Sequence, residues 1–89
     1  VLRSGATTGC VVAVAGELGR SSAGYELWRN GLDSFAELRE RHLVPRPPYG
    51  QGAVAAASGA VAMIDISDGL ISDLGHIATA SGVGIDLST

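Results

Sequence analysis

The chain has 89 residues, enough for one domain at most, and it carries a formal charge of −3 with 46% hydrophobic and 17% charged residues. Its acidic balance and the lack of a Lys/Arg run argue against a nucleic-acid surface, and its longest apolar run is shorter than the about 20 residues of a membrane helix. A single cysteine, Cys10, allows no internal disulfide. We therefore expect a cytoplasmic segment of a larger protein, whose apolar surplus faces other parts of that protein.

The first third of the chain predicts a strand, a glycine turn and a helix. Residues 11–15 are a Val-rich apolar run between two glycines, which indicates a strand buried on both faces. Two serines that can cap a helix then precede three large side chains at helical spacing: Ser21, Ser22, Tyr25, Trp28 and Leu32.

The middle of the chain predicts two more helices around a stiff connector. Ser34 and Glu37 have the spacing of a capping box, so we expect a second helix that ends before the proline-rich stretch 45–50. Residues 51–57 are rich in alanine and predict a short helix closed by Gly59.

The last third of the chain predicts a strand, a long helix and a final strand. Residues 61–66 read as a second buried strand, and apolar side chains from Leu70 onward recur at helical spacing until Ser81 and Gly82 end the helix. Residues 83–87 are a third strand candidate. The predicted fold class is α+β, a mixed sheet with packed helices.

The turn formed by residues 65–69 is the best candidate for chemistry. Asp65 and Ser67 face one side of an extended strand, and Asp68 lies at the helix start, where free backbone N–H groups offer an anion site. A carboxylate and a phosphate repel each other there unless a hard cation such as Mg²⁺ bridges them. Two alternatives stay open: Asp68 or Ser67 caps the helix while Asp65 is a solvated strand end, or Asp65 is a phosphoryl-accepting nucleophile. The second is disfavoured because Ser67 stands where a partner carboxylate is expected.

Other polar and aromatic residues receive structural assignments. Asp73 lies one turn beyond the 65–69 motif and could support a ligand residue there, but we expect it to lie on a solvated helix face. We expect His42 and His76 to be structural. Tyr25 and Trp28 could stack on a ligand ring, but their helical spacing favours packing.

Several ordered motifs resemble one known family. The segments AMIDISDGL at 62–70, DLGHI at 73–77 and SGVG at 81–84 closely resemble thiamine-monophosphate kinase. Upstream, RSGA at 3–6 and the proline connector at 45–48 resemble the same family in the same order. The resemblance covers nearly the whole chain.

This resemblance implies a Mg²⁺-dependent kinase that transfers the γ-phosphoryl group of ATP to thiamine monophosphate and yields thiamine diphosphate. Motif position matches Asp65 and Asp68 to metal ligands, and Ser67 and Arg3 to nucleotide contacts. No residue is assigned as a catalytic base, because the acceptor phosphate is already a nucleophile and needs positioning and charge neutralisation.

The resemblance also implies a domain organisation. Residues 1–89 correspond to the beginning of the C-terminal of two α/β domains, a layered α/β/α fold shared with aminoimidazole ribonucleotide synthetase. An N-terminal domain outside this chain is expected to carry further acidic ligands and a homodimer interface, so the chain alone should be inactive. Cys10, Arg20 and Pro48 depart from the common family pattern and put local loop contacts in doubt.

Two other functions remain as alternatives. One is a different ATP-using member of the superfamily, of the selenophosphate synthetase or hydrogenase maturation type. The other is a non-catalytic packing or interaction module, which the apolar surplus favours.

Overall fold

A computed structural model describes residues 1–88 and contains four α-helices in that part of the chain. They are α1 Arg20–Arg29, α2 Ala36–Leu43, α3 Gln51–Ala57 and α4 Leu70–Ser81. None of these helices has the length and apolarity of a membrane span. The chain divides into two compact units, one made of Val1–Ala13 with the chain from Gly50 onward, and the other of Val14–Tyr49.

The predicted mixed sheet is wrong for the described residues. Residues 11–15, 61–66 and 83–87 are irregular, and no strand forms anywhere in residues 1–88. A strand requires a neighbour whose backbone groups complete a ladder of hydrogen bonds. The run 61–66 instead shows a single backbone bond, from the Met63 N–H to the Leu2 carbonyl at 3.0 Å. Apolar composition therefore identified segments whose burial is favourable, but it did not establish that a partner strand lies beside them.

The unit Val14–Tyr49 is a pair of helices in close contact. Gly24 of α1 is buried, and a Cβ there would lie 1.8 Å from the Leu38 carbonyl oxygen of α2, so only glycine permits this approach. The Tyr25 ring packs on His42 with centroids 5.1 Å apart, which supports the predicted packing role of Tyr25. The Ser21 hydroxyl lies 3.1 Å from Nδ1 of the same histidine.

Both helices of this unit start differently from the prediction. The N-cap of α1 is Gly19 at φ 88°, and Ser21 and Ser22 lie inside the helix. The N-cap of α2 is Phe35 in the left-handed region at φ 54°, and no side chain among the described residues caps this helix, so the capping box of Ser34 and Glu37 is wrong. In both cases the chain enters the helix through a positive φ, which places the candidate cap side chains away from the N-cap position.

The helices of the other unit begin and end where local signals predict. The helix α3 spans the predicted residues 51–57, and Gly59 follows at φ 100°. The helix α4 ends at Ser81 with Gly82 in the left-handed conformation, as predicted. The N-terminal segment runs antiparallel to residues 61–63, and a Cβ at Gly5 would lie 2.3 Å from the Val61 carbonyl oxygen.

No apolar side chain is fully buried in residues 1–88. Large apolar side chains are exposed instead, among them Val11 at 92% and Ile71 at 73%. Only two of the described residues are buried: Gly24, and Asp73, whose exposure is 2%. Burial of a carboxylate is costly unless it is hydrogen-bonded, and the partners of Asp73 lie in the turn that precedes α4.

Candidate functional site

The 65–69 turn presents two acidic side chains and a hydroxyl to solvent. Asp65, Ser67 and Asp68 are all exposed, and α4 begins directly after Gly69. The Ser67 hydroxyl donates to Oδ2 of Asp65 at 3.4 Å, so the structure brings together the two side chains that strand alternation predicted on one side. At that length the bond is weak, since O–H···O bonds are usually 2.5–3.0 Å.

Neither Ser67 nor Asp68 acts as a helix cap. The N-cap of α4 is Gly69 at φ 129°, and no side chain in the described part of the chain makes a cap hydrogen bond there. The Asp68 carboxylate has no hydrogen bond or ion pair within residues 1–88. The capping alternative is therefore wrong, and the Asp68 oxygens are available to a ligand.

Asp73 holds the turn from within α4. Its Oδ2 atom accepts three successive backbone N–H groups, from Ser67 at 2.9 Å, Asp68 at 3.0 Å and Gly69 at 3.3 Å. Its own N–H donates to the Gly69 carbonyl at 2.9 Å. These bonds lower the pKa of Asp73, with the Asp68 N–H as the largest cause, while burial opposes the shift and His76 adds a smaller favourable effect.

The expectation that Asp73 lies on a solvated helix face is wrong. The side chain is 2% exposed because helical side chains point toward the N-terminus, which aims this carboxylate back at the preceding turn. A usable signal was present in the sequence, namely an aspartate four residues after a glycine that begins a helix. The N–H groups of residues 67–69 are occupied by a carboxylate of the protein. The predicted anion site concerns the first-turn N–H groups of α4, which begins at Leu70, and it stays a prediction.

The donor set suits a hard divalent cation. Carboxylate oxygens are preferred by Mg²⁺, and both Asp65 and Asp68 offer exposed oxygens on one short turn. Ligand atoms of Asp68, Asp73 and His76 also lie within 4.8 Å of one another, although one oxygen of Asp73 is committed to backbone N–H groups. This cluster of ligand atoms contains Asp68 but not Asp65, so the metal roles of Asp65 and Asp68 stay predictions.

Arg3 lies in a segment that Ser81 anchors to the end of α4. The Ser81 hydroxyl donates to the Arg3 carbonyl at 2.9 Å and accepts the N–H groups of Gly5 and Ala6, each at 3.2 Å. Within residues 1–88 the Arg3 guanidinium makes no hydrogen bond or ion pair. The structure does not join this guanidinium to the 65–69 turn, so its nucleotide role stays a prediction. The anchoring role of Ser81 was missed, because its partners are distant in sequence.

Two of the unusual residues have clear local partners. The Cys10 thiol is exposed and lies 3.5 Å from Oγ1 of Thr7. The hydrogen bond with this Thr7 side chain is the main cause of a lowered Cys10 pKa. Arg20 pairs with Glu17 and, at 3.7 Å, with Glu37, and these acidic partners raise the Arg20 pKa. Both residues therefore make local contacts of their own at positions that depart from the common family pattern.

Comparison with known proteins identifies the family. Residues 7–89 match the family described as AIR synthase related protein, C-terminal domain. The chain belongs to this family. It is 74% identical over 88 residues to a thiamine-monophosphate kinase of Mycobacterium tuberculosis strain H37Rv, covering 99% of this chain and 26% of that relative. The resemblance inferred from the motifs is thereby confirmed.

More distant family members carry the same name. The thiamine-monophosphate kinase of Methanopyrus kandleri is 42% identical over 90 residues, which is 100% of this chain and 29% of the relative. That of Escherichia coli K12 is 45% identical over 93 residues, which is 97% of this chain and 28% of the relative. The chain thus spans about a quarter of the length of these curated relatives. No solved structure matches it.

Proposed function

We propose that the protein carrying this chain is a cytoplasmic kinase that uses ATP and Mg²⁺ to convert thiamine monophosphate to thiamine diphosphate. The substrate is suggested by the names of relatives, one of which is 74% identical to this chain. The chemistry is supported by one structural observation: Asp65 and Asp68 stand exposed on a turn whose backbone is held by another residue, so their oxygens are not used for capping.

Asp65 and Asp68 are the proposed Mg²⁺ ligands. When bound, the cation neutralises negative charge on the polyphosphate, which otherwise repels this acidic turn. Asp73 adds a further negative charge directly behind the turn. The turn carries no positive charge of its own, so its affinity for nucleotide is expected to depend on the cation.

Ser67 and Arg3 are the proposed nucleotide contacts. The Ser67 hydroxyl is exposed, and its bond to Asp65 is long at 3.4 Å, so it can turn to a phosphate oxygen at little cost. The Arg3 guanidinium offers several N–H donors to phosphate and carries the positive charge that the turn lacks. No general base is proposed, because the acceptor phosphate needs orientation and charge neutralisation rather than deprotonation.

The domain assignment belongs to the same proposal. Residues 1–89 form the beginning of the C-terminal domain of a two-domain enzyme, and a homodimer forms through the N-terminal domain. The chain covers only 26% of two mycobacterial relatives, and the further acidic ligands are assigned to the rest of the protein. The isolated chain is therefore expected to bind ATP weakly and to have no kinase activity.

The test is an assay of the full-length protein with ATP and thiamine monophosphate. Thiamine diphosphate and ADP should appear in equal amounts, with Mg²⁺ required and EDTA abolishing turnover. Transfer from ATP to selenide instead would indicate another superfamily activity, and no turnover with either acceptor would indicate a packing module. Either of these results contradicts the proposal.

A further inference from the structure

We propose that Asp73 is a positioning residue of the 65–69 turn, which orients Asp68 and Ser67 and makes the turn selective for a cation. This inference rests on the proposed function. It starts from the contrast in burial: Asp73 is 2% exposed, whereas every residue from Asp65 to Gly69 is exposed. The carboxylate that is buried is therefore not the one that faces a ligand.

Three hydrogen bonds to one oxygen define the shape of the turn. Oδ2 of Asp73 accepts N–H groups from Ser67, Asp68 and Gly69 at 2.9, 3.0 and 3.3 Å. Three successive N–H groups that converge on one anion form a concave backbone nest. Because their N–H groups point inward at Asp73, the orientations of these peptide planes are set, and with them the directions in which the Ser67 and Asp68 side chains leave the backbone.

A fourth bond connects the turn rigidly to α4. The Asp73 N–H donates to the Gly69 carbonyl at 2.9 Å, the first backbone bond of the helix. Asp73 thus contacts the turn through both its side chain and its backbone. Metal ligands that are held in this way need less ordering when the cation binds, so affinity should fall when the holding group is removed.

The charge of Asp73 also determines what the turn can bind. A vacant nest of N–H groups attracts phosphate, but this nest already contains a carboxylate. Phosphate oxygens cannot use these donors, and the negative charge behind the turn repels them. The same charge favours a divalent cation on the outer side, next to Asp65 and Asp68.

The test uses the full-length protein with Asp73→Asn, which keeps the shape and one acceptor oxygen but removes the charge. The control is Asp86→Asn, the same chemical change at an exposed aspartate in the same unit. Binding of Mn²⁺ as a spectroscopic probe is measured by electron paramagnetic resonance without nucleotide, and the Mg²⁺ concentration for half-maximal activity is measured with saturating ATP.

Asp73→Asn should weaken Mn²⁺ binding and raise the half-saturating Mg²⁺ concentration by about 10-fold, as for other groups that orient metal ligands. The KM for thiamine monophosphate should stay unchanged, and excess Mg²⁺ should restore most of kcat. Asp86→Asn should match the wild type. A purely structural role predicts a lower melting temperature with unchanged metal dependence, and that result overturns the proposal.

A second variant covers the case in which Asp73→Asn does not fold. Asp73→Glu keeps the charge and the acceptors but displaces them by one methylene, so it should also weaken Mn²⁺ binding while sparing the KM for thiamine monophosphate. Unchanged Mn²⁺ affinity in this variant overturns the proposal. The two proposals can be tested independently. If the wild-type protein does not phosphorylate thiamine monophosphate, the proposed function is wrong, and comparing Mn²⁺ binding by the wild type and the Asp73 variants still tests the positioning role.

Discussion

The hydroxyl of Ser81 donates a hydrogen bond to the carbonyl oxygen of Arg3 at 2.9 Å, across 78 residues of sequence. The same oxygen accepts the N–H groups of Gly5 and Ala6, so the donor and both acceptor positions of this hydroxyl are used. One small side chain at the end of α4 thereby fixes the backbone of the segment that carries a proposed nucleotide contact. Two motifs at opposite ends of the chain, RSGA and SGVG, become one structural feature.

Replacing Ser81 by alanine should therefore affect both stability and nucleotide binding. Loss of three hydrogen bonds should cost the full-length protein about 1–3 kcal/mol in the free energy of unfolding, measured by urea denaturation. The KM for ATP should rise several-fold, because Arg3 loses its backbone anchor. Ser72→Ala, at an exposed serine of the same helix, is the matched control and should change neither quantity. Equal behaviour of the two variants would refute the anchoring role.

Replacing Asp65 by asparagine should impair the proposed metal site without unfolding the protein. The side chain is exposed and its one hydrogen-bond partner in the described part of the chain is the Ser67 hydroxyl, so the melting temperature should stay within about 1–2 °C of the wild type. Loss of a carboxylate ligand should lower kcat/KM for the Mg²⁺–ATP complex by an order of magnitude or more. Steady-state kinetics at several Mg²⁺ concentrations measure this, and an unchanged Mg²⁺ dependence would count against Asp65 as a ligand.

The thiol of Cys10 should react faster than an ordinary cysteine near neutral pH. Hydrogen bonding by Thr7 lowers the Cys10 pKa, so more thiolate is present at a given pH. Thr7→Val removes the hydroxyl and should raise this pKa, which moves the pH midpoint of alkylation upward and slows the reaction at pH 7.5. Iodoacetamide labelling of the Cys10 peptide, followed by mass spectrometry, measures the rate. Thr8→Val, one residue away and also exposed, should leave it unchanged.

Adding a methyl group at Gly24 should disrupt the contact between α1 and α2. The new Cβ would lie 1.8 Å from the Leu38 carbonyl oxygen, so the helices must separate, at a cost of about 1–3 kcal/mol or more in unfolding free energy. Gly52→Ala is the matched comparison, because the residue is helical and an added Cβ would meet no atom within 4 Å from beyond its own helical turn in residues 1–88. It should stabilise the protein by about 0.4–1 kcal/mol. Thermal unfolding of both full-length variants compares them directly, and a tolerated Gly24→Ala contradicts the close approach.

Local signals in the sequence were sufficient for part of the structure. The helices α3 and α4 each end shortly before a glycine with positive φ. Glycine adopts positive φ without strain, so its place in the sequence predicts where a helix ends. Asp65 and Ser67 lie together as predicted, although the strand from which this was predicted does not form at residues 61–66. The family, too, was recognisable from short ordered motifs, and its match over residues 7–89 confirmed it.

Tertiary structure decided the features that depend on groups which are separated in sequence and adjacent in the folded chain. An apolar run becomes a strand only beside another backbone, and among the described residues the run 61–66 has one backbone hydrogen bond instead of a ladder. Asp73 is buried because three N–H groups converge on it, and Ser81 matters because residues 3–6 return to it. Composition and spacing describe what each residue prefers, whereas hydrogen bonding and burial depend on which groups the folded chain brings within about 3 Å of one another.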